Sequence, residues 1–269
     1  MNSVQFQCPV CQSELKQHQA SRGFYCANKH HFDRQEDGYW LLAKPKSAAV
    51  HALSRQALRA RRFLLQSELM EPLHQALNLK LARLAENCDA VLDPNAGDGA
   101  LQQMLQLPDE LQRLLICDAQ NAAFAAAKAL PTAQVFLSVA KRLPFEDAQF
   151  SLVTLLDGQL KGKEIPRVMK PGAHLVMLAP GPRHLWQLRE QLNADLKQRE
   201  FSISLPAELT VLETESLSFS LDVSGEQALT LLETTPYAWR ASEKQKRTLA
   251  TRAVKGLELD YRVLVIKRN

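Results

Sequence analysis

No apolar run in this sequence is long enough to span a bilayer, which excludes a helical membrane protein. No basic and apolar leader precedes Gln5 to Cys11, so a cytoplasmic location with no membrane partner is expected. Cysteine is scarce and odd in number, at five, which argues against a disulfide framework in such a chain. The dinucleotide fingerprint Gly-x-Gly-x-x-Gly is absent, which argues against a dehydrogenase. Acidic residues are also missing from the whole stretch between Asp37 and Glu68.

What fills that acid-free stretch is basic: Lys44, Lys46, Arg55, Arg59, Arg61 and Arg62. Arg55, Arg59 and Arg62 are spaced to share one helical face, and such a stripe attracts phosphates through charge pairing and counterion release. A solvated helix face has the same appearance, and the net charge of +4 over 269 residues is too mild to decide between them. With 46% hydrophobic and 23% charged residues, the composition is that of an ordinary globular chain of one large or two smaller domains.

Three of the cysteines crowd the N-terminus as CPVC, Cys8 and Cys11, and then YCANKHH, Cys26 followed by His30 and His31. Cys-x-x-Cys lets two thiolates reach one ion from a tight turn, and a second pair completes a tetrahedron. That second pair is Cys26 with His30 or, as the weaker choice, His31. A redox motif would sit at a helix start in a βαβ unit, and no strand pattern precedes this one. Four protein ligands make a closed, structural zinc site. Phe6, Phe24, Tyr25, Phe32, Tyr39 and Trp40 are expected to form the miniature core around it. Cys88 and Cys117 read as ordinary buried cysteines.

A helical rhythm runs from about Ala49 to Leu84, broken near Pro72. Beyond it the pattern alternates. Strands are expected at Ala90–Asp93, Leu114–Asp118, Gln134–Ser138, Phe150–Asp157 and His174–Ala179, with helices at Ala100–Leu107 and Ala122–Leu130. Leu209–Val223 reads as a further strand, the stretch from Ser224 as a helix, and Leu257–Lys267 as the last strand. This is the pattern of an α/β fold with a mostly parallel sheet covered on both faces. A ligand in such a sheet sits at the carboxyl ends of the strands. VLDPNAGDGA places Asp93, Asn95, Gly97, Asp98 and Gly99 there, and Asp118 ends the second strand, where an acid can accept both hydroxyls of a ribose.

RLPFED at Arg142–Asp147 and RVMKPG at Arg167–Gly172 resemble landmarks of the class I methyltransferases. APGPRHL at Ala179–Leu185 and TTPYAWRA at Thr234–Ala241 narrow the likeness. With the N-terminal cysteines, they resemble the RlmA-type large-subunit rRNA guanine-N1 methyltransferases over essentially the whole chain. The resemblance implies a zinc-binding module (1–45), a basic helical connector (46–86) and a class I, Rossmann-like methyltransferase domain (87–269). It implies S-adenosylmethionine and structural zinc as cofactors, a large-subunit rRNA hairpin as substrate and a homodimer.

Carried over by position, Cys8, Cys11, Cys26 and His30 would bind zinc. Met70, Asp93, Asn95, Gly97, Asp98, Gly99, Asp118 and His184 would line the cofactor site. Arg55, Arg59, Arg62 and Arg183 would meet RNA, with an ion pair at a helix start as the other role for Arg183. Asp157 and Glu164 are the candidates to accept the guanine N1 proton, and Tyr237 or Trp239 could stack on a base. The chain departs from the family at Asn95 for a glycine, Glu68 for a glycine, Met70 for a tyrosine, and in LLDGQLKGK after the fourth strand. Val139 also stands where many class I enzymes carry an acid beside the adenine. These changes cluster at one place. An RNA-binding relative with a degenerate cofactor site, and a small-molecule methyltransferase, are therefore the alternatives to the rRNA enzyme.

Overall fold

The computed structural model describes residues 4–42, 54–193 and 195–269. Lys44 and the first residues of the expected connector, 46–53, Lys46 among them, lie outside these. Four short antiparallel strands begin the chain: β1 (Phe6–Gln7), β2 (Glu14–Gln17), β3 (Phe24–Cys26) and β4 (His31–Phe32). The next strand, β5 (Tyr39–Leu41), leaves this ribbon and pairs in parallel with β8 (Gln134–Leu137) of a second, larger sheet.

That larger sheet also holds β6 (Ala90–Asp93), β7 (Gln112–Cys117), β9 (Phe150–Leu155), β10 (Met169–Pro180), β11 (Leu209–Val223) and β12 (Val254–Arg268). Its order is β11-β12-β10-β9-β6-β7-β8-β5, parallel from β5 to β10, with β12 antiparallel to both of its neighbours. Every residue of β6 is buried, as are the last four of both β7 and β9. This is what a parallel sheet covered on both faces requires of its strands. The expected α/β architecture, a mostly parallel sheet covered on both faces and joined to a small N-terminal module, is the one observed.

The connector forms α1 (Arg55–Leu65), a 3-10 turn (Glu68–Met70) and α2 (Glu71–Ala85). Ser54 caps α1 by accepting from the Ala57 N–H at 3.1 Å. Pro72 does not break a helix; it sits in the first turn of α2, where its missing N–H costs nothing. The expected Ala100–Leu107 helix is only α3 (Ala100–Gln103). Pro108 disfavours helix at the residue before it, and Leu105 and Leu107 are buried one by one in irregular chain. α4 (Gln120–Ala129) crosses over to β8, and α5 (Glu164–Val168) and α6 (Trp186–Leu192) flank β10. α7 (Gly225–Glu233) and α8 (Glu243–Ala250) fall between β11 and β12.

The ribbon has no miniature core of its own. Phe6 lies 5.6 Å from Phe136 and 5.4 Å from Phe145, ring centre to ring centre, and Trp40 stacks on Phe136 at 5.2 Å. Main-chain bonds fasten the same seam, from Gln7 N–H to Pro144 O at 3.0 Å and from Glu146 N–H to Gln5 O at 3.1 Å. The Leu-Pro-Phe landmark thus seats the ribbon on the sheet. Two of the expected core aromatics are placed elsewhere. Strand alternation turns Tyr39 to the opposite sheet face, among the alanines of α4, while Tyr25 is exposed and stacks on His31. Cys117 is buried, whereas Cys88 is only half-buried and donates to Leu84 O at 3.2 Å.

Candidate functional site

In the ribbon, two tight turns present ligands to one point. Cys8 N–H donates to Ser13 O and Gln12 N–H to Cys8 O, while Cys26 N–H donates to His30 O and Lys29 N–H to Cys26 O. Each turn contains one non-glycine residue in the left-handed region, Gln12 (φ 64°) and Lys29 (φ 63°). The ligand atoms of Cys8, Cys11, Cys26 and His30 all lie within 4.8 Å of one another. Cys11 Sγ stands 3.7 Å from Cys26 Sγ, and His30 Nδ1 stands 3.6 Å from Cys8 Sγ and 3.4 Å from Cys26 Sγ. A tetrahedron built on zinc–sulfur bonds of about 2.3 Å has edges of about 3.7 Å, so the cluster has the size zinc needs. His30 completes the cluster of four, while His31 is exposed on β4.

At the carboxyl end of β6, Gly97 (φ 56°) and Gly99 (φ 76°) turn the chain into α3. Asn95, in the place of the family's first glycine, keeps a negative φ, so the substitution costs the backbone nothing. Its side chain instead donates to Asp157 O at 2.6 Å, joining the loop to the end of β9. The acids around this loop have separate fates. Asp93 is buried; it accepts from Asn95 N–H at 2.9 Å, from Gln102 Nε2 and from the Thr154 hydroxyl, and burial pushes its pKa up to about 7. Asp98, 1% exposed, is held by Arg61 at 2.9 Å and Arg62 at 3.3 Å. Arg61 is itself buried and reaches Asp157 at 2.6 Å with its other nitrogen. Asp118 stands exposed just after β7 and has no hydrogen bond or ion pair among the described residues.

The turn after β10 is clamped onto β12. Asp260 accepts from the Arg183 N–H at 2.8 Å, and its main-chain oxygen accepts from Gly181 N–H at 2.8 Å. A methyl group on Gly181 would lie 2.4 Å from that carboxylate, so only glycine fits. Leu185, fully buried, is forced into the left-handed region (φ 55°), a strain on the order of 1 kcal/mol that its packing offsets. Arg189 then ties two distant stretches together. It donates to Pro182 O at 2.9 Å and His184 O at 3.2 Å, and its guanidinium lies 4.7 Å from the Tyr237 ring centre.

Residues 6–43 match the zinc-ribbon family described as RlmA, N-terminal. A "23S rRNA (guanine(748)-N(1))-methyltransferase" of Streptomyces fradiae is 27% identical over 86% of this chain and 85% of its own length. A Bacillus subtilis (strain 168) protein, YxjB, provisionally named as a 23S rRNA (guanine-N(1)-)-methyltransferase, is 25% identical over 97% of this chain and 96% of its own. This chain's N-terminal segment thus matches the RlmA zinc ribbon, and the chain is similar over most of its length to these rRNA methyltransferases. Cys8, Cys11, Cys26 and His30 all fall within the matched zinc-ribbon segment, which marks their cluster as a structural zinc site.

The remaining expected site residues divide. Met70 is fully buried among Leu64, Leu185 and Leu188, so it lines the core and not an open ligand site. His184 is also buried, 4.5 Å from the Tyr261 ring; burial lowers its pKa to about 4, and its Nδ1 has no partner among the described residues. Arg55 and Arg59 are exposed, with no ion pair among the described residues. Arg62 is committed to Asp98, through both the carboxylate and the main-chain oxygen. Arg183 grips Glu258 with two bonds, at 2.7 and 2.6 Å, so the ion pair is the role its geometry supports. Glu164 is likewise spent, on Arg167 and on Leu143 N–H, and lies outside the site.

Sequence reasoning singled out neither Arg61, the bridge between loop and β9, nor Arg189. An arginine at the buried face of an otherwise amphipathic helix was the available signal for the first. Nothing in the sequence marked the second.

Proposed function

We propose that the chain transfers a methyl group from S-adenosylmethionine to N1 of a guanine in large-subunit rRNA. The observation that carries this is the extent of the likeness: it covers the ribbon, the sheet and the helices between them, at 86% and 97% of this chain for the two relatives above. A small-molecule enzyme has no use for a zinc ribbon seated on the sheet.

The residues present fit the cofactor. Asp118, exposed and without a partner among the described residues, would hold the ribose hydroxyls, and the glycine turn offers main-chain N–H groups beside it. Ser138, directly after β8, keeps a buried hydroxyl with no partner among the described residues, as a site for an adenine edge would. The bound cofactor supplies an electrophilic methyl carbon. The protein's task is then to align the nitrogen with it and exclude water. Guanine N1 must lose its proton, and Asp157, whose side chain is 38% exposed and anchored by Arg61, would be the carboxylate to take it. Arg55 and Arg59 would pair with RNA phosphates. A hairpin target, a homodimer and a cytoplasmic location belong to this proposal. Among the described residues, no helix is long and apolar enough to cross a membrane.

The test is methylation of unmodified large-subunit rRNA with labelled cofactor, read by reverse-transcription stops, since N1-methylguanine cannot pair. Wild type should give one strong stop. Asp118→Ala should abolish cofactor binding by calorimetry and the stop together. Absence of any methyl incorporation by zinc-loaded wild type would refute the proposal.

A further inference from the structure

An open cleft of about 760 Å³ lies where β9 and β10 end. One wall is Gly158 to Leu160, which follows Asp157 directly, and another is Pro180 to Pro182. The strap 195–204 lines its outer side, and Phe201 and Ile203, with Leu205 just beyond, pack against the same core as Leu160. The glycine loop touches this cleft at one point. Asn95 bonds to Asp157 O, and its amide lies so close over Gly158 that a methyl group there would stand 2.4 Å away. A ligand above the glycine loop and a ligand in the cleft therefore meet at Asp157–Gly158.

The lining fits a nucleotide. Its charged side chains are Arg189, Lys197, Arg199 and Arg240 against Asp195 and Glu200, a cationic surplus suited to phosphate. Tyr237 supplies a half-buried aromatic ring, and the Arg189 guanidinium stands over it at 4.7 Å. An aromatic ring fixed by a cation is a platform for a base, because stacking needs a rigid π-face and not a specific hydrogen bond. Arg240, three residues on in the same 3-10 turn (Pro236–Arg240), is exposed and has no ion pair among the described residues. Tyr237 and Arg189 come from TPYAWR and from the helix after PGPRHL, so the cleft also explains why these two distant stretches occur together.

We infer that this cleft is the acceptor-nucleotide site, in which the target guanine stacks on Tyr237 and Arg240 contacts a neighbouring phosphate. The inference rests on the methyltransferase proposal and names the acceptor side of that same site.

The experiment compares wild type, Tyr237→Ala, Tyr237→Phe and Arg240→Ala on an unmodified large-subunit rRNA transcript, with calorimetric S-adenosylmethionine affinity as the control. Tyr237→Ala should lower kcat/KM for RNA about ten- to hundred-fold, the loss expected of one base–aromatic stack, with cofactor affinity unchanged. Tyr237→Phe should stay within about three-fold of wild type, because the π-face is kept. Arg240→Ala should raise KM for RNA and reduce the salt dependence of binding by about one counterion. An active wild type with Tyr237→Ala equally active would overturn the assignment and leave the methyltransferase proposal standing. If Tyr237→Ala does not fold, Arg240→Ala decides, and an unchanged KM and salt slope sink the assignment. A wild type that methylates no RNA removes the proposal and the cleft assignment with it.

Discussion

The ribbon and the glycine loop are both built around clustered ligating side chains, yet they are held in opposite ways. In the ribbon, Cys8, Cys11, Cys26 and His30 converge on one point, where a single ion would satisfy them all. Around the loop, Asp93, Asp98, Asp157 and Asp118 diverge. The first turns inward to Gln102 and Thr154, the next two share Arg61, and the last is left open. A structural centre closes every ligand. A site for a cationic cofactor keeps one acid free and neutralises the rest from within the fold. The contrast teaches that charge at the loop is set by a helix, α1, that precedes the sheet in the chain.

The largest test of that contrast is to remove the metal. Structural zinc contributes roughly 10 kcal/mol to small modules of this kind, and the ribbon's aromatics are shared with the sheet. A strong chelator should therefore lower the melting temperature of the whole chain and expose amides of residues 6–32 to hydrogen exchange. Metal analysis should find one zinc per chain, and a melting temperature unmoved by its loss would break the comparison.

Arg61→Met comes next. It leaves Asp98, 1% exposed, without its closest counter-charge, and breaking such a buried pair costs about 3–5 kcal/mol. Urea unfolding should show that loss for Arg61→Met and a much smaller one for Arg59→Ala. Equal effects would mean that α1 does not organise the loop.

The pH dependence sharpens the picture at Asp93. Its folded pKa of about 7 lies above the unfolded value of 3.8, so the folded chain keeps a proton that the unfolded chain releases. The group's contribution is complete below about pH 4 and is lost as pH rises through about 7, on the order of 4 kcal/mol over that window. Asp93→Asn should flatten this part of the stability curve between pH 5 and 7.5. Parallel curves for wild type and variant would show that Asp93 is ionised when folded.

What was legible in the sequence follows from distance along the chain. The zinc ligands could be proposed because Cys-x-x-Cys and Cys-x-x-x-His are local, whereas His31, left open by the sequence, is exposed on β4 and outside the cluster. The strands could be placed because buried parallel strands are continuous apolar runs, and Asp118 because it ends one of them. The Arg61 bridge joins residues 37 and 96 positions apart, which no local pattern encodes. For the same reason Met70 and Arg62, aligned with cofactor and RNA roles by position, are taken up by core and loop. The two roles open to Arg183 were separated only by Glu258, 75 residues away. Asn95 was legible as a departure but not as a new bond, since its acceptor belongs to a strand end far along the chain.

The strand β5 has a consequence for solubility. Without it, β8 would be the outermost strand of the parallel sheet, and Val135, Phe136 and Leu137 would sit along an unpaired edge. Open hydrophobic edges recruit other chains, and proteins normally blunt them with charge, proline or a cover. Here the cover arrives on the end of the zinc ribbon, so metal occupancy and resistance to aggregation are linked through three residues, Tyr39 to Leu41. A chain short of zinc would be expected to self-associate before it loses the rest of its fold.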